Sequence, residues 1–331
     1  KHMSINQGGF RKGIGGKEQL WALVEEMEEA ELMDKNLIVC TTDVHKAFDQ
    51  VYRNGTIYLL YANGVRGRML EFLVNWMTKN IAFPTWRGVR GKGVRLNANG
   101  LRQGCNLSPI LYLLIIDTMI SKQPDTDMPA WDKGFLNTAY SQGVQNDTEG
   151  VRLLRVLLFV DDTALTAKDV EEMEMLLERY YNFTRAWRIR VNASKCAVMQ
   201  RNPKEPDVPH SWKLGEERVP EKTDVKYLGI KLSQGKNKWK AQRAYTTALA
   251  VQARKRVRTV RETLGESWAL HYVRAVETPK ILFGAELTNI SPTALDEYQA
   301  WVTSEALGIG RREKSEGFQG LEPPRFCVFG D

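Results

Sequence analysis

Leu157-Leu158-Phe159-Val160-Asp161-Asp162-Thr163-Ala164-Leu165 sets two adjacent carboxylates inside an apolar, β-prone run. Asp is depleted from strand interiors, and a strand of this kind is buried on at least one face. Two carboxylates there cost several kcal/mol unless they are paired or bind a cation. The run reads as a β-hairpin with VRLLRVLLFV and TALTA as arms and Asp161-Asp162 in its turn. The bland alternative is an Asx-type turn. A second stretch decides between them: Leu37-Ile38-Val39-Cys40-Thr41-Thr42-Asp43 is another apolar strand ending in a carboxylate. Two strands delivering three carboxylates to one place make a site for hard divalent cations, which take oxygen ligands.

The 331 residues can bury a large core and suggest two or three subdomains. Lys and Arg exceed Asp and Glu by 47 to 40, a net charge of +7. That is compatible with a polyanionic partner and is weak support by itself. Cys40, Cys105, Cys196 and Cys327 lie far apart with no CxxC spacing. They read as free thiols of a reducing, intracellular compartment, without choosing among nucleus, cytoplasm and organelle. The scattered histidines give no metal-ligand pattern. No run of about 18 apolar residues occurs, so no membrane span is expected. The opening Lys1-His2-Met3 reads as a processed chain or a piece of something longer.

Along the chain, residues 5–16 read as a Gly-rich basic loop, followed by a helix over 17–34 with Leu20, Leu23, Val24, Met27 and Leu32 on one face. A helix is expected from Ala47 towards Ala62, closed by Asn63-Gly64, and another over 66–79. Residues 80–98 alternate and fit a hairpin carrying Arg87, Arg90, Lys92 and Arg95 beside Trp86. It is either a solvated hairpin or a grip on a phosphate backbone. Ser108 reads as an N-cap with Pro109 at the first helical position, and the loop before it as a place where backbone amides and Gln103 meet a nucleotide. Residues 123–150 read as a long polar loop, 169–187 as a helix, 189–200 as a strand carrying Asn192 and Lys195, 201–222 as linker and 226–232 as a short strand. From about Lys236 the pattern turns helical. The stretch 236–261 holds Lys236, Lys238, Lys240, Arg243, Arg254, Lys255, Arg256, Arg258 and Arg261 and no acid. Such blocks are usually solvated faces, but one without a single carboxylate points to nucleic acid. Helices near 267–283 and 293–307 and an irregular tail from Arg311 complete the reading.

In this order the pieces resemble a reverse transcriptase, most closely the non-LTR (LINE-type) retrotransposon group, over roughly residues 6–310. Gln7-Gly8-Gly9-Phe10-Arg11 resembles that group's fingers signature, Asp43-Val44-His45-Lys46-Ala47-Phe48-Asp49 its motif A, and Leu101-Arg102-Gln103-Gly104-Cys105-Asn106-Leu107-Ser108-Pro109 its motif B. Phe159-Val160-Asp161-Asp162 resembles motif C, Asn192-Ala193-Ser194-Lys195 motif D, and Tyr227-Leu228-Gly229 the primer grip, motif E. Phe283-Gly284-Ala285-Glu286 and the Leu295–Gly308 stretch resemble what the group carries beyond the thumb. Asn106 and His45 depart from the group's usual residues, and the chain begins at the second fingers motif.

The resemblance implies an α+β polymerase right hand: partial fingers over 1–36 and 66–100, a palm of antiparallel sheet and helices over 37–65 and 101–235, a helical thumb and post-thumb over 236–310, and an irregular tail over 311–331. It implies RNA-directed DNA synthesis from an RNA template, a DNA primer and dNTPs. Asp43 and Asp161 would hold two Mg²⁺ ions, with Mn²⁺ as a substitute, and Asp162 would be the supporting carboxylate nearer the primer end. Asp49, already in the helix, reads as structural. Phe48 stands where the family has its sugar gate, or is ordinary core. Gln103 and Gly104 would sit beside the incoming nucleotide and Arg11 would face its triphosphate. Lys195 is a candidate general acid or a surface lysine. Tyr227, Leu228 and Gly229, with Lys240, Arg243, Arg254, Lys255 and Arg258, would contact primer and nucleic acid. The rival reading is a domesticated reverse-transcriptase fold kept as a non-catalytic RNA-binding subunit, with structural RNA and protein neighbours in a larger ribonucleoprotein. An RNA-dependent RNA polymerase is a distant third.

Overall fold

The computed structural model describes residues 6–79, 81–95, 99–120, 156–201, 210–234, 237–288 and 292–308; the polar stretch 123–150, the start of the first hairpin arm and the tail from Arg311 lie outside them. The chain divides into two compact units, Lys1–Lys238 and Trp239–Asp331.

The first unit is built on β1 (Leu37–Thr42), whose six residues are all buried. Strands alternate faces, so burial throughout requires cover on both sides. Ile38 and Cys40 join the core formed with the helices, and a later hairpin packs against the sheet. The chain reaches β1 from α1 (Gly16–Leu32), whose Leu20, Leu23, Val24 and Met27 are buried as their spacing predicts. Leu32 was expected on that face but is 86% exposed; five residues past Met27, it has rotated off the stripe.

The single helix expected from Ala47 to Ala62 is two, α2 (Ala47–Gln50) and α3 (Arg53–Ala62). At the break the Phe48 and Val51 carbonyls accept from Leu101 N and Gly100 N, each at 2.8 Å. Acceptors that would have continued the helix are spent on a distant loop. α4 (Gly67–Thr78) follows. Residues 81–95 then form nested pairs, β2 (Ile81–Ala82) with β5 (Val94–Arg95) and β3 (Thr85–Trp86) with β4 (Val89–Arg90). Helix α5 (Leu107–Asp117) has its N-cap at Asn106, not at Ser108. The Ser108 hydroxyl instead donates to Arg102 O at 2.7 Å, which ties the preceding loop to the first turn of the helix.

β6 (Val156–Phe159) and β7 (Asp162–Ala167) form the hairpin, and α6 (Val170–Ala186) is capped by the Asp169 side chain. β8 (Ala197–Arg201) completes a four-stranded antiparallel sheet in the order β6-β7-β1-β8. The expected strand over 189–200 begins only at Ala197; Asn192–Lys195 is a turn closed by Lys195 N and Cys196 N donating to Asn192 O. Within 210–222 the expected linker is instead a small hairpin, β9 (Lys213–Leu214) with β10 (Glu217–Arg218), anchored by the fully buried Trp212. The short strand expected over 226–232 is also a hairpin, β11 (Asp224–Tyr227) with β12 (Ile230–Ser233).

The second unit is helical: α7 (Lys240–Leu264), α8 (Glu266–Tyr272), a π-helical stretch Val273–Glu277, α9 (Thr278–Ile281), α10 (Ala285–Thr288) and α11 (Pro292–Leu307). The continuous helix expected over 267–283 widens where Pro279 lacks an N–H and crowds the preceding turn. Its small core is Val257, Ala269, Val273, Val302 and Ala306. Arg256 forks onto the buried Glu277 at 2.6 and 2.8 Å, and Arg258 bonds Glu305 at 2.9 Å with Arg254 3.8 Å from the same carboxylate. Part of the basic block is therefore used inside the unit.

Candidate active site

Three carboxylates gather at one end of the sheet because of register. Thr42 pairs with Thr163, so the next residues along each strand, Asp43 and Asp162, are neighbours at its end. Phe159 pairs with Asp162, so the hairpin loop is the two residues Val160 and Asp161. The expected turn Asp161-Asp162 is thus shifted by one: Asp161 is in the loop and Asp162 opens β7. Val160 has φ 61°, at the loop position where a type II′ turn favours Gly. A β-branched residue held there costs about 1–3 kcal/mol.

The carboxylates are unfavourable neighbours for one another. The Asp161 carboxyl is pushed above the usual range by burial and by the charge of Asp43. Asp162 is raised to about 6, first by loss of water on its flanks, then by Asp161 and Asp43, with Lys226 pulling the other way. Asp162 keeps an open solvent path, so its shift owes less to a sealed interior than to protein crowding one side. The Asp43 backbone is pinned by the 192–196 turn: Asp43 N donates to Cys196 Sγ at 3.4 Å and Asn192 N to Asp43 O at 2.9 Å. That turn carries Lys195, whose Nζ lies 3.8 Å from Asp43 Oδ2.

Among the described residues no group of three or more His, Cys, Asp and Glu side chains forms a ready-made metal cage. The donor set still fits Mg²⁺, which takes one or two carboxylates and completes its shell with water and substrate phosphates. Asp161 and Asp162, raised by loss of water and then by neighbouring negative charge, gain from a divalent cation beside them.

The loop 100–104 lies against motif A. Besides the two backbone bonds at the α2–α3 break, the buried Arg53 donates through Nε to Gly100 O at 2.7 Å. Gly100 has φ 90°, and a Cβ there would stand 2.7 Å from Asp49 O. Gln103 Nε2 donates to Asp49 Oδ1 at 3.2 Å, so Asp49, read as structural, orients a predicted nucleotide contact. Gly104 is exposed, with φ 80° and open space where a Cβ would go. Phe48 is half-buried and stacks on Tyr112 with centroids 4.8 Å apart, one side in the core and the other available. Arg11 is half-buried and donates to Gln7 O at 3.3 Å. Leu228 and Gly229 form the two-residue turn of β11–β12, with φ 47° and 87°. Tyr227 is buried, and the Asp162 charge helps raise its hydroxyl pKa, which links this hairpin to the carboxylates. Lys240, Arg243, Arg254, Lys255 and Arg258 all lie on α7 of the second unit.

Sequence reading missed Arg53, Tyr112 and the depth to which Gln7 is buried. Arg53 opens α3 and is followed by Asn54, Gly55 and Thr56, so no local pattern singles it out.

A family model described as "Reverse transcriptase (RNA-dependent DNA polymerase)" matches residues 1–232. The chain is 25% identical over 257 residues to the RNA-directed DNA polymerase from mobile element jockey of Drosophila melanogaster, covering 74% of this chain and 25% of that protein. It is 26% identical over 178 residues to a retrovirus-related Pol polyprotein from type-1 retrotransposable element R2 of Nasonia vitripennis, covering 54% of this chain and 15% of that one. The chain thus spans a quarter or less of the length of these curated relatives. Among solved structures it is similar to the apo telomerase of Candida tropicalis truncated from its C-terminal domain, at 13% identity and a TM-score of 0.42, covering 66% of this chain and 38% of the other. Among the described residues no helix is long and apolar enough to cross a membrane.

Proposed function

Since the chain belongs to the reverse transcriptase (RNA-dependent DNA polymerase) family, we propose that it is the catalytic core of an RNA-directed DNA polymerase. Its substrates are then an RNA template, a DNA primer and dNTPs. The observation that carries this reading is the register by which β1 and the β6–β7 hairpin deliver Asp43, Asp161 and Asp162 to one end of the sheet.

In the reaction the primer 3′-hydroxyl gives its proton to solvent water as its oxygen bonds to the α-phosphorus of the dNTP, the bond from that phosphorus to the oxygen bridging to the β-phosphate breaks, and pyrophosphate leaves. Asp43, Asp161 and Asp162 would hold two Mg²⁺, or Mn²⁺ in their place. Such an ion pair, when bound, stabilises the attacking and leaving oxygens of an in-line displacement. Asp162, with its carboxyl raised to about 6, is ionised at neutral pH and supports the primer side of the site. Lys195 is the candidate donor of a proton to the departing pyrophosphate. Phe48, braced by Tyr112, presents a fixed ring to the sugar and rejects a 2′-hydroxyl by contact. Gln103, oriented by Asp49, and Gly104 line the nucleotide, while Arg11 meets its triphosphate. Leu228 and Gly229 steady the primer; Tyr227, expected to touch it, is buried and supports their turn from below. The exposed cations of α7 and the Arg87, Arg90, Lys92 and Arg95 hairpin hold phosphates.

Primer extension on poly(rA)/oligo(dT) with Mg²⁺ or Mn²⁺ tests the reading. We expect dTMP addition by the unmutated chain. No extension with either ion, together with retained RNA binding, would instead favour a non-catalytic ribonucleoprotein subunit.

A further inference from the structure

We propose that Gln7 is a positioning residue for the carboxylate site, clamping the Val160-Asp161 loop so that Asp161 and Asp162 keep the placement needed to bind metal. The inference deepens the polymerase reading above and rests on it for its catalytic meaning.

The Gln7 side chain is fully buried, at 0% exposure. Its amide oxygen accepts two backbone N–H groups, Gly9 at 2.8 Å and Val160 at 3.1 Å. The backbone on either side is also attached to the hairpin: Leu158 N donates to Asn6 O at 3.0 Å, and Gly8 N donates to Leu158 O at 2.8 Å. β6 is the outermost strand of the four-stranded sheet. Residues 6–8 therefore run along the side of β6 that β7 leaves open, in a parallel bridge, while the side chain reaches forward to the loop.

The side-chain bond lands on a strained residue. Val160 sits at φ 61°, a conformation that a β-branched residue keeps only where its surroundings hold it. Gln7 Oε1 holds it by accepting from the Val160 backbone N–H. Gly9 makes the approach possible, because a Cβ there would lie 2.6 Å from Val160 Cγ2 and 2.8 Å from Val160 N. Asp161 follows Val160 directly and Asp162 comes next, so the backbone torsions that Gln7 fixes set the direction of both carboxylates. Among the described residues, Gln7 supplies the side-chain bond to the Val160 amide.

Gln7→Met tests the clamp, since it keeps length and apolar bulk and removes the acceptor. Three quantities are read on the full chain: hydrogen exchange at the Val160 amide, Mn²⁺ binding followed by electron paramagnetic resonance, and the Mg²⁺ concentration for half-maximal primer extension. We expect faster exchange at Val160, Mn²⁺ binding weaker by about tenfold as for other residues that support metal ligands, and a matching rise in Mg²⁺ requirement with primer–template affinity unchanged. Glycine adopts positive φ without strain, so in a Val160→Gly background the Gln7→Met effect on Mn²⁺ binding should largely vanish. A lowered melting temperature with unchanged Val160 exchange and unchanged Mn²⁺ binding would overturn the proposal. So would an effect of equal size in the Val160→Gly background. If the unmutated chain extends no primer, the polymerase reading falls on its own, and Val160 exchange still decides whether Gln7 clamps the loop.

Discussion

Asp162 shows at the scale of one residue how the site is poised. Its carboxyl is raised to about 6, chiefly by protein crowding water from one side and then by Asp161 and Asp43, above its value in an unfolded chain. A raised acid contributes stability fully below the unfolded pKa, and that contribution is lost as pH rises through the folded one. Between about pH 4 and pH 6 the cation-free chain should lose stability that an Asp162→Asn variant does not lose. Thermal melts of both proteins across that window give the difference directly, and coincident pH profiles would mean that Asp162 carries no such strain. Phe48 gives a second prediction at this scale. If its ring excludes the 2′-hydroxyl, Phe48→Ala should raise rNTP incorporation while dNTP use is largely kept. Unchanged sugar discrimination would return Phe48 to the core with Tyr112. The catalytic candidates were legible because carboxylates inside apolar strands need a reason. Arg53 was not, because nothing local marks a guanidinium whose partner, Gly100 O, is 47 positions away.

At the scale of elements, the site is three short stretches stitched together. β1 and the β6–β7 hairpin could be read from apolar runs broken or ended by Asp. The break between α2 and α3 could not, since local periodicity continues through it and only Gly100 and Leu101 take up the freed carbonyls. The one-residue shift of the carboxylate loop has a similar cause: no local propensity puts valine at φ 61°, and the bond from Gln7 lies 153 positions away. Gly100 is the element-scale test. With φ 90° and no room for a Cβ beside Asp49 O, Gly100→Ala should push the Gln103-Gly104 loop off motif A. Displacing a positioning loop costs about a hundredfold in rate, and we expect KM for dNTP to rise with it while RNA binding persists. Wild-type dNTP kinetics in Gly100→Ala would show that the stitching does not set the nucleotide pocket.

At the scale of the molecule, charge and chemistry belong to two units, and the basic helix α7 divides by function. Arg254, Arg256 and Arg258 meet Glu305 and Glu277 within their own unit, so reversing them tests folding as much as binding. Lys240, Arg243 and Lys255 lie on the same helix outside those ion pairs, which makes them the cleaner probes. Reversing these three to Glu should shallow the salt dependence of primer–template binding by about 0.7–0.9 log unit for each phosphate no longer neutralised. An unchanged slope would take α7 out of the interface. The proposed polymerase activity requires Asp43, Asp161 and Asp162 to act as one site. Single-nucleotide addition by the unmutated chain, and by Asp43→Asn, Asp161→Asn and Asp162→Asn, on an RNA template with Mg²⁺ tests that most directly. Template-directed dNMP addition should disappear in Asp43→Asn and Asp161→Asn and fall steeply in Asp162→Asn; addition that survives in Asp161→Asn, or is absent from the unmutated chain, would contradict a shared catalytic site.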